Sequence, residues 1–272
     1  MDSEPREHPT SPAQPAPPAA VDAATPPPTE DEAGWKRHGH ALWVEWIKPL
    51  AIIGLVMFSF RSAVADWNDV PTGSMKPTIL EGDRIFINKV AYDLKFPFTR
   101  IRLAQWDDPT WGDVVVLRSP EDGKRLVKRV VGLPGDLVEV RGSCIAVNGR
   151  PARYIPREDG ADRAFAEATQ GDSENYHFYT EDLAGRRHFI MATNRCDAPP
   201  TGRALYTSPN YYKVPESQYF VMGDNRGRSR DSRYFGCVDR SLILGQATAV
   251  ALSLDPESYY RPRWHRFFTD LP

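Results

Sequence analysis

Two side chains in this sequence could together make a nucleophile and its base. Ser74 lies in "DVPTGSMKPTI", where Pro71, Gly73 and Pro77 impose a tight, non-helical backbone that presents the hydroxyl. A serine in such a turn often does no more than cap its own backbone, so the hydroxyl alone defines nothing. Lys128 lies in "RLVKRVVGLPG", a run whose strand alternation puts it on one face with Leu126 and Val130. An ordinary lysine, with a pKa of ~10.4, is protonated at neutral pH, but burial can lower that value by up to ~3–5 units and make the amine a usable base. The competing reading of Lys128 is a stem on apolar surface with the ammonium in water, and Arg129, which faces the other way, is read as a surface side chain of that kind, its guanidinium in water. Lys76 is close to Ser74 in sequence, yet the proline-bounded turn directs it elsewhere.

The better-known hydrolase signatures are missing. There is no G-x-S-x-G elbow and no H-E-x-x-H, and the six histidines fall mostly in the amino-terminal tail, an irregular central stretch and the carboxyl end. A third cluster, "MGDNRGRSRDSRYFG", gathers Gly223, Asp224, Asn225, Ser229, Asp231, Ser232 and Arg233; Asp231 and Arg233 share a face if the chain is extended. By composition alone it reads as a charged surface loop. Cys144, Cys196 and Cys237 form no C-x-x-C pair, so no zinc or thioredoxin-like motif is read, and one disulfide with a leftover thiol leaves the pairing open. With 34 basic and 36 acidic residues, the chain lacks the electrostatic footprint of a nucleic-acid binder. Neither nucleic acid, metal nor cofactor is expected.

The elements around these residues read as follows. Residues 1–34 are rich in Pro, Ala and acidic groups and have almost nothing large and apolar to bury, which predicts a disordered tail. Residues 42–66 predict a membrane anchor helix. Its uninterrupted apolar core, Leu50 to Phe60, is about half of the ~20 residues a span needs, but Trp43, Trp46 and Trp67 suit the interfaces and Lys48 and Arg61 can snorkel. Lys36, Arg37 and Lys48 outnumber Arg61, which puts the amino terminus in the cytoplasm and later residues outside. The tract follows a long tail and lacks a processing site, so it is expected to stay attached.

Short Val- and Ile-rich runs, among them "DRIFINKV", "GDVVVLRSP", "LVEVRGSCIAVNGRPA", "YFVMGD" and "ILGQATAVALSLD", alternate with turn signals at Pro134-Gly135-Asp136 and Asn148-Gly149. The fold class is mostly β, with a catalytic domain over 67–149 and 213–272 and an inserted irregular lobe or long hairpin over 150–212. The aromatic and basic carboxyl end is expected to pack on the core.

Taken together, "PTGSMKPTI", "GDVVVLRSP", "KRVVGLPGD" and "GDNRGRSRDSR" resemble, in order, the sequence boxes of bacterial type I signal peptidases (leader peptidases, peptidase S26), over about residues 42–255. The resemblance implies a signal-peptidase-like β core outside the cytoplasmic membrane that cuts signal peptides from exported preproteins with a Ser–Lys dyad, its partners being those peptides and membrane lipid. It assigns Ser74 as nucleophile, Lys128 as base and Ser229 as the hydroxyl that orients the lysine amine. The Ser74 N–H and the Thr72 hydroxyl would form the oxyanion hole, where many members have Ser. Asp231 and Arg233 would prop the loop, and Asp69, Val70 and Val127 would line the pockets for small residues at −1 and −3 or flank the scissile bond. Gly227 and Arg228 replace the family's usual Asp-Asn, and Lys76 stands where members vary. The alternatives are a peptidase of the same clan dedicated to one client, and a silent membrane-anchored binding domain.

Overall fold

The computed structural model describes residues 42–99, 101–157, 163–169, 176–196 and 211–272; the predicted tail lies outside them. The chain divides into two compact units, Met1–Ile53 and Gly54–Pro272. Helix α1 (Trp43–Ala63) is π-helical over Trp43–Ile47 and α-helical from Lys48. Over its most apolar 18 residues the mean hydropathy is 1.5, with none of that stretch buried, so by length and composition the 21-residue helix can cross a membrane. At 1.5 Å per residue it is about 31 Å long, the thickness of a hydrocarbon core. It ends at Ala63 rather than 66, and Trp67 belongs to the following strand, with the Arg61 guanidinium 4.6 Å above its ring.

The strands are β1 (Ala65–Asp69), β2 (Asp83–Asn88), β3 (Asp93–Lys95), β4 (Arg102–Gln105), β5 (Val114–Arg118), β6 (Arg125–Gly132), β7 (Leu137–Arg141), β8 (Cys144–Val147), β9 (Arg150–Pro151) and β10 (Arg153–Arg157). After the short helix α2 (Arg163–Thr169) come β11 (His177–Leu183), β12 (Arg186–Ala192), β13 (Tyr211–Lys213) and β14 (Gln218–Met222). Helix α3 (Ser232–Phe235), β15 (Val238–Asp239), β16 (Ile243–Asp255), β17 (Arg261–Pro262) and β18 (Thr269–Asp270) complete the chain. The chain is mostly β, as its patterning predicts.

The main sheet runs β1-β2-β16-β5-β6-β14-β15, with β17 and β18 also paired to β16. The carboxyl end therefore packs on the core through those two strands, and buried Arg266 reaches Asp83. A smaller sheet, β13-β7-β8-β9, closes over Val131, Val138, Ile145, Val214 and Phe220. The run across 137–152 is a meander that reverses at Gly142 and again at the expected Asn148-Gly149 turn, where both residues have positive φ as a tight hairpin requires. In the 150–212 region, β10-β11-β12 form an antiparallel sheet of their own, while β13 joins the smaller sheet.

Of the strand edges left unpaired among the described residues, two adjoin the segments that carry Lys128 and lead to Ser74. β1 pairs only with β2. β6 pairs with β5 along Arg125–Arg129, but β14 joins it only from Arg129 onward, so Arg125–Lys128 have one free side.

Candidate active site

Ser74 occupies a single 3-10 turn, Gly73–Met75, entered from an extended Thr72. The turn is anchored by Met75, which is fully buried with Val70, Ile79, Ile85, Val114 and Val116. It is also tied to the loop after β14: the Asn225 N–H donates to the Ser74 carbonyl at 3.1 Å, and Asn225 Nδ2 donates to the Gly73 carbonyl at 3.1 Å. Buried apolar contact below and two donors above fix the orientation of the half-buried Ser74.

Lys128 stands opposite Val115 in the β5–β6 ladder and is 2% exposed. Its Nζ lies 2.7 Å from Ser74 Oγ and 3.0 Å from the Val127 carbonyl. Burial pushes the amine down from its ordinary 10.5 to about 8; the carboxylates of Asp231 and Asp224 pull the other way. Desolvation wins because neither carboxylate pairs with the amine, each being held by an arginine. A lysine at about 8 has a substantial neutral fraction at mildly alkaline pH, so it can accept a proton from the hydroxyl it touches.

The third cluster is a buried scaffold rather than a solvated loop. Arg233 pairs with Asp231 at 2.8 Å and donates to the Arg226 carbonyl at 2.8 Å, while Asp231 accepts the Gly223 N–H at 3.0 Å and caps α3. Burial works to raise the Asp231 carboxyl, and the bonds and charge of Arg233 hold it below its usual range. Gly223 is required by space: a Cβ there would lie 2.3 Å from both Ser229 Oγ and the Ser74 carbonyl oxygen. Ser229 thus packs beside the nucleophile turn, but among the described residues its buried hydroxyl makes no bond to the lysine amine, which is bonded to Ser74 and the Val127 carbonyl.

The expected pocket residues divide. Val70 is buried in the Met75 cluster and half-buried Val127 packs on the same cluster, so these two come together beside the turn. Asp69 is exposed at the end of β1 and pairs with Arg84 on β2. Exposed Thr72 lines the same cavity as Ser74, and its hydroxyl does not cap the turn. Lys76 pairs with Glu81 at 3.2 Å.

The reading of Arg129 as a surface side chain is wrong. It is 1% exposed and grips Asp224 through two hydrogen bonds, with further bonds to the Gly112 and Pro272 carbonyls. The face of β6 away from Lys128 meets a second packed layer, so a charge there is buried and paired. A parallel buried pair, Arg226 with Glu181 on β11, fixes the far side of the loop, and His188 also contacts Glu181 at 2.8 Å. Burial lowers the His188 pKa, keeping the ring neutral. The disulfide joins Cys144 to Cys196, and Cys237 is free.

A serine hydroxyl against a desolvated lysine amine on a β frame has the chemistry of a serine hydrolase. The family described as signal peptidase, peptidase S26, matches residues 43–252. Signal peptidase I of Pseudomonas fluorescens is 33% identical over 246 residues, covering 85% of this chain and 80% of its own length. The enzyme of that name from Pseudomonas aeruginosa is 32% identical over 243 residues, with the same 85% and 80% coverage. The crystal structure of a signal peptidase I from Enterococcus faecalis is 30% identical, covers 52% of this chain and 98% of its own, and has a TM-score of 0.30. The chain belongs to the peptidase S26 signal peptidase family and is a serine peptidase.

Proposed function

We propose that this chain is a membrane-anchored endopeptidase that cleaves signal peptides from exported preproteins, with Ser74 as nucleophile and Lys128 as general base. The observation that carries this reading is the 2.7 Å approach of a buried lysine amine to the hydroxyl of a serine held in a rigid turn. Neutral Lys128 takes the proton as Ser74 Oγ attacks the scissile carbonyl. The amine then gives that proton to the leaving nitrogen and activates the water that releases the acyl group from the serine. The Ser74 N–H and Thr72 hydroxyl face the developing oxyanion. Ser229, a buried hydroxyl beside the nucleophile turn, is the group available to orient the amine as its protonation changes, and Asp231 with Arg233 holds that loop.

The substrate lies extended as an added strand against the free side of Arg125–Lys128, or between it and β1, using unpaired backbone groups for affinity. Small residues at −1 and −3 fit against Val70, Met75 and Val127, with Asp69 at the rim; larger ones are excluded by the packed valines. Helix α1 is the anchor, and the basic excess at its amino-terminal side puts the catalytic domain on the extracytoplasmic face. A disulfide in that domain suits an oxidising compartment.

The test is cleavage of several unrelated preproteins in lipid by the wild type, Ser74→Ala and Lys128→Ala. The expected outcome is processing of most substrates by the wild type and of none by either folded variant. Full activity in either variant would remove the dyad, and cleavage of one substrate alone would favour a dedicated client.

A further inference from the structure

Beside the outer end of α1, a cavity of ≈ 570 Å³ is walled by Ser62 and Ala63 of the helix, by the β3–β4 hairpin and by the ends of β5 and β6. Every charged side chain lining it is a cation: Lys89, Lys95, Arg102, Arg118 and Arg125. The nearby carboxylates do not neutralise them. Asp66 is shared by Arg61 at 3.0 Å, Lys89 at 3.1 Å and Arg125 at 3.6 Å. Asp93 is shared by Lys95 at 2.7 Å, Arg102 at 3.2 Å and Arg240 at 3.1 Å. Arg118 stands directly across the β5–β6 ladder from Arg125. Like charges placed opposite each other on one sheet face are destabilising unless an anion lies between them.

The same hairpin carries Phe96, Phe98, Ile101, Leu103 and Trp106, all large, apolar and exposed. It is fastened to the helix end by the Phe98 N–H, which donates to Ser62 Oγ at 2.8 Å. An apolar tip beside a basic cavity, at the end of a helix long enough to span, matches the layering of a lipid monolayer: acyl chains, then phosphate.

We propose that this cavity binds the phosphodiester headgroup of an anionic phospholipid in the outer leaflet, with Arg118 and Arg125 on either side of the phosphate and Lys95 and Arg102 closing it from the hairpin. The proposal rests on reading α1 as a membrane span. Binding there fixes β5 and β6 at the bilayer surface, and with them the free strand edge that begins at Arg125.

The full-length chain in nonionic detergent is offered equal amounts of phosphatidylglycerol and phosphatidylcholine with the same acyl chains, and retained lipid is read by native mass spectrometry. The wild type retains phosphatidylglycerol in excess. In Arg102→Gln/Arg118→Gln that excess falls roughly twenty-five-fold, or about fivefold for each cation removed, and Arg102→Lys/Arg118→Lys keeps most of it. Equal retention of the two lipids by the wild type overturns the proposal, as does an unchanged excess in the glutamine variant. Displacement of the lipid by millimolar inorganic phosphate reassigns the site to a free anion and overturns the lipid assignment. Preprotein cleavage is followed in the same samples. Lipid preference without cleavage defeats the peptidase reading alone, and cleavage without lipid preference defeats this proposal alone.

Discussion

Arg129, the neighbour of Lys128 on β6, holds Asp224 through two parallel hydrogen bonds, Nε to Oδ1 at 2.9 Å and Nη2 to Oδ2 at 2.7 Å, with both side chains buried. This pair fastens the strand that carries the lysine to the loop that carries Ser229, and Asn225, the next residue, fastens that loop to the Ser74 turn. Removing one partner leaves a buried unpaired charge, so Asp224→Asn is expected to cost ~3–5 kcal/mol. Arg129→Met/Asp224→Leu, which removes both charges, is expected to cost less than either single change. Urea denaturation of the wild type, Arg129→Met, Asp224→Leu and the double variant checks this, and an additive double variant would show that the two residues are not coupled.

The lysine's displaced pKa has consequences for rate and for stability. Activity is expected to rise with pH through about 8 and then level, because the base works only when neutral. Between about 8 and 10.5 the unfolded chain holds a proton on Lys128 that the folded chain has lost, so stability rises with pH across that window; below it the cost of burying the charge is fully present. Lys128→Met is therefore expected to stabilise the protein by roughly 3 kcal/mol more at pH 6 than at pH 11. Thermal melts of wild type and variant at the two pH values measure the difference. A constant gap would mean that the lysine titrates normally.

The strands β2, β5, β6, β14 and β16 were legible because each has enough Val and Ile to declare itself. β1, sequence "ADWND", has no such signal and exists because β2 offers it a ladder. Ser74 and Lys128 stood out because a hydroxyl in a proline-bounded turn and a lysine in an apolar strand are both unusual. Arg129 was misread because alternation gives the direction of a side chain but not what covers it. Its partner Asp224, 95 residues away, lies in a box that was recognised, but nothing in the sequence pairs the two. The expected bond from Ser229 to the amine also depends on distances that spacing does not fix: Ser229 Oγ lies against Gly223 instead.

Thr72 offers a direct test of the oxyanion site. Its hydroxyl is not spent on capping the turn, and the side chain lines the cavity with Ser74. Thr72→Val keeps the shape and removes the donor, so kcat is expected to fall by about 10²–10³ with little change in KM. Thr72→Ser restores the donor without the methyl and is expected to stay within about tenfold of wild type, the methyl affecting only rotamer preference. A valine variant that raises KM and leaves kcat alone would place Thr72 in ground-state binding.

The Cys144–Cys196 bridge closes a segment with a sequence separation of 52, linking β8 to the stretch that follows β12. Chain-entropy reasoning for a loop of that size gives roughly 4 kcal/mol of stabilisation. The bridge also lies next to Ser143, whose carbonyl accepts a bond from Arg226 at 2.9 Å, and Arg226 is part of the loop that supports Ser229 and Asp231. Loss of the bridge is therefore expected to loosen the active-site loop as well as the insert sheet. In Cys144→Ser/Cys196→Ser, the melting temperature should drop together with kcat, while Ser74→Ala should lose activity with an unchanged melt. If the double serine variant melts lower but cleaves at the wild-type rate below its transition, the bridge supports only the β10–β12 sheet and the loop is held by Arg226 and Glu181 without it.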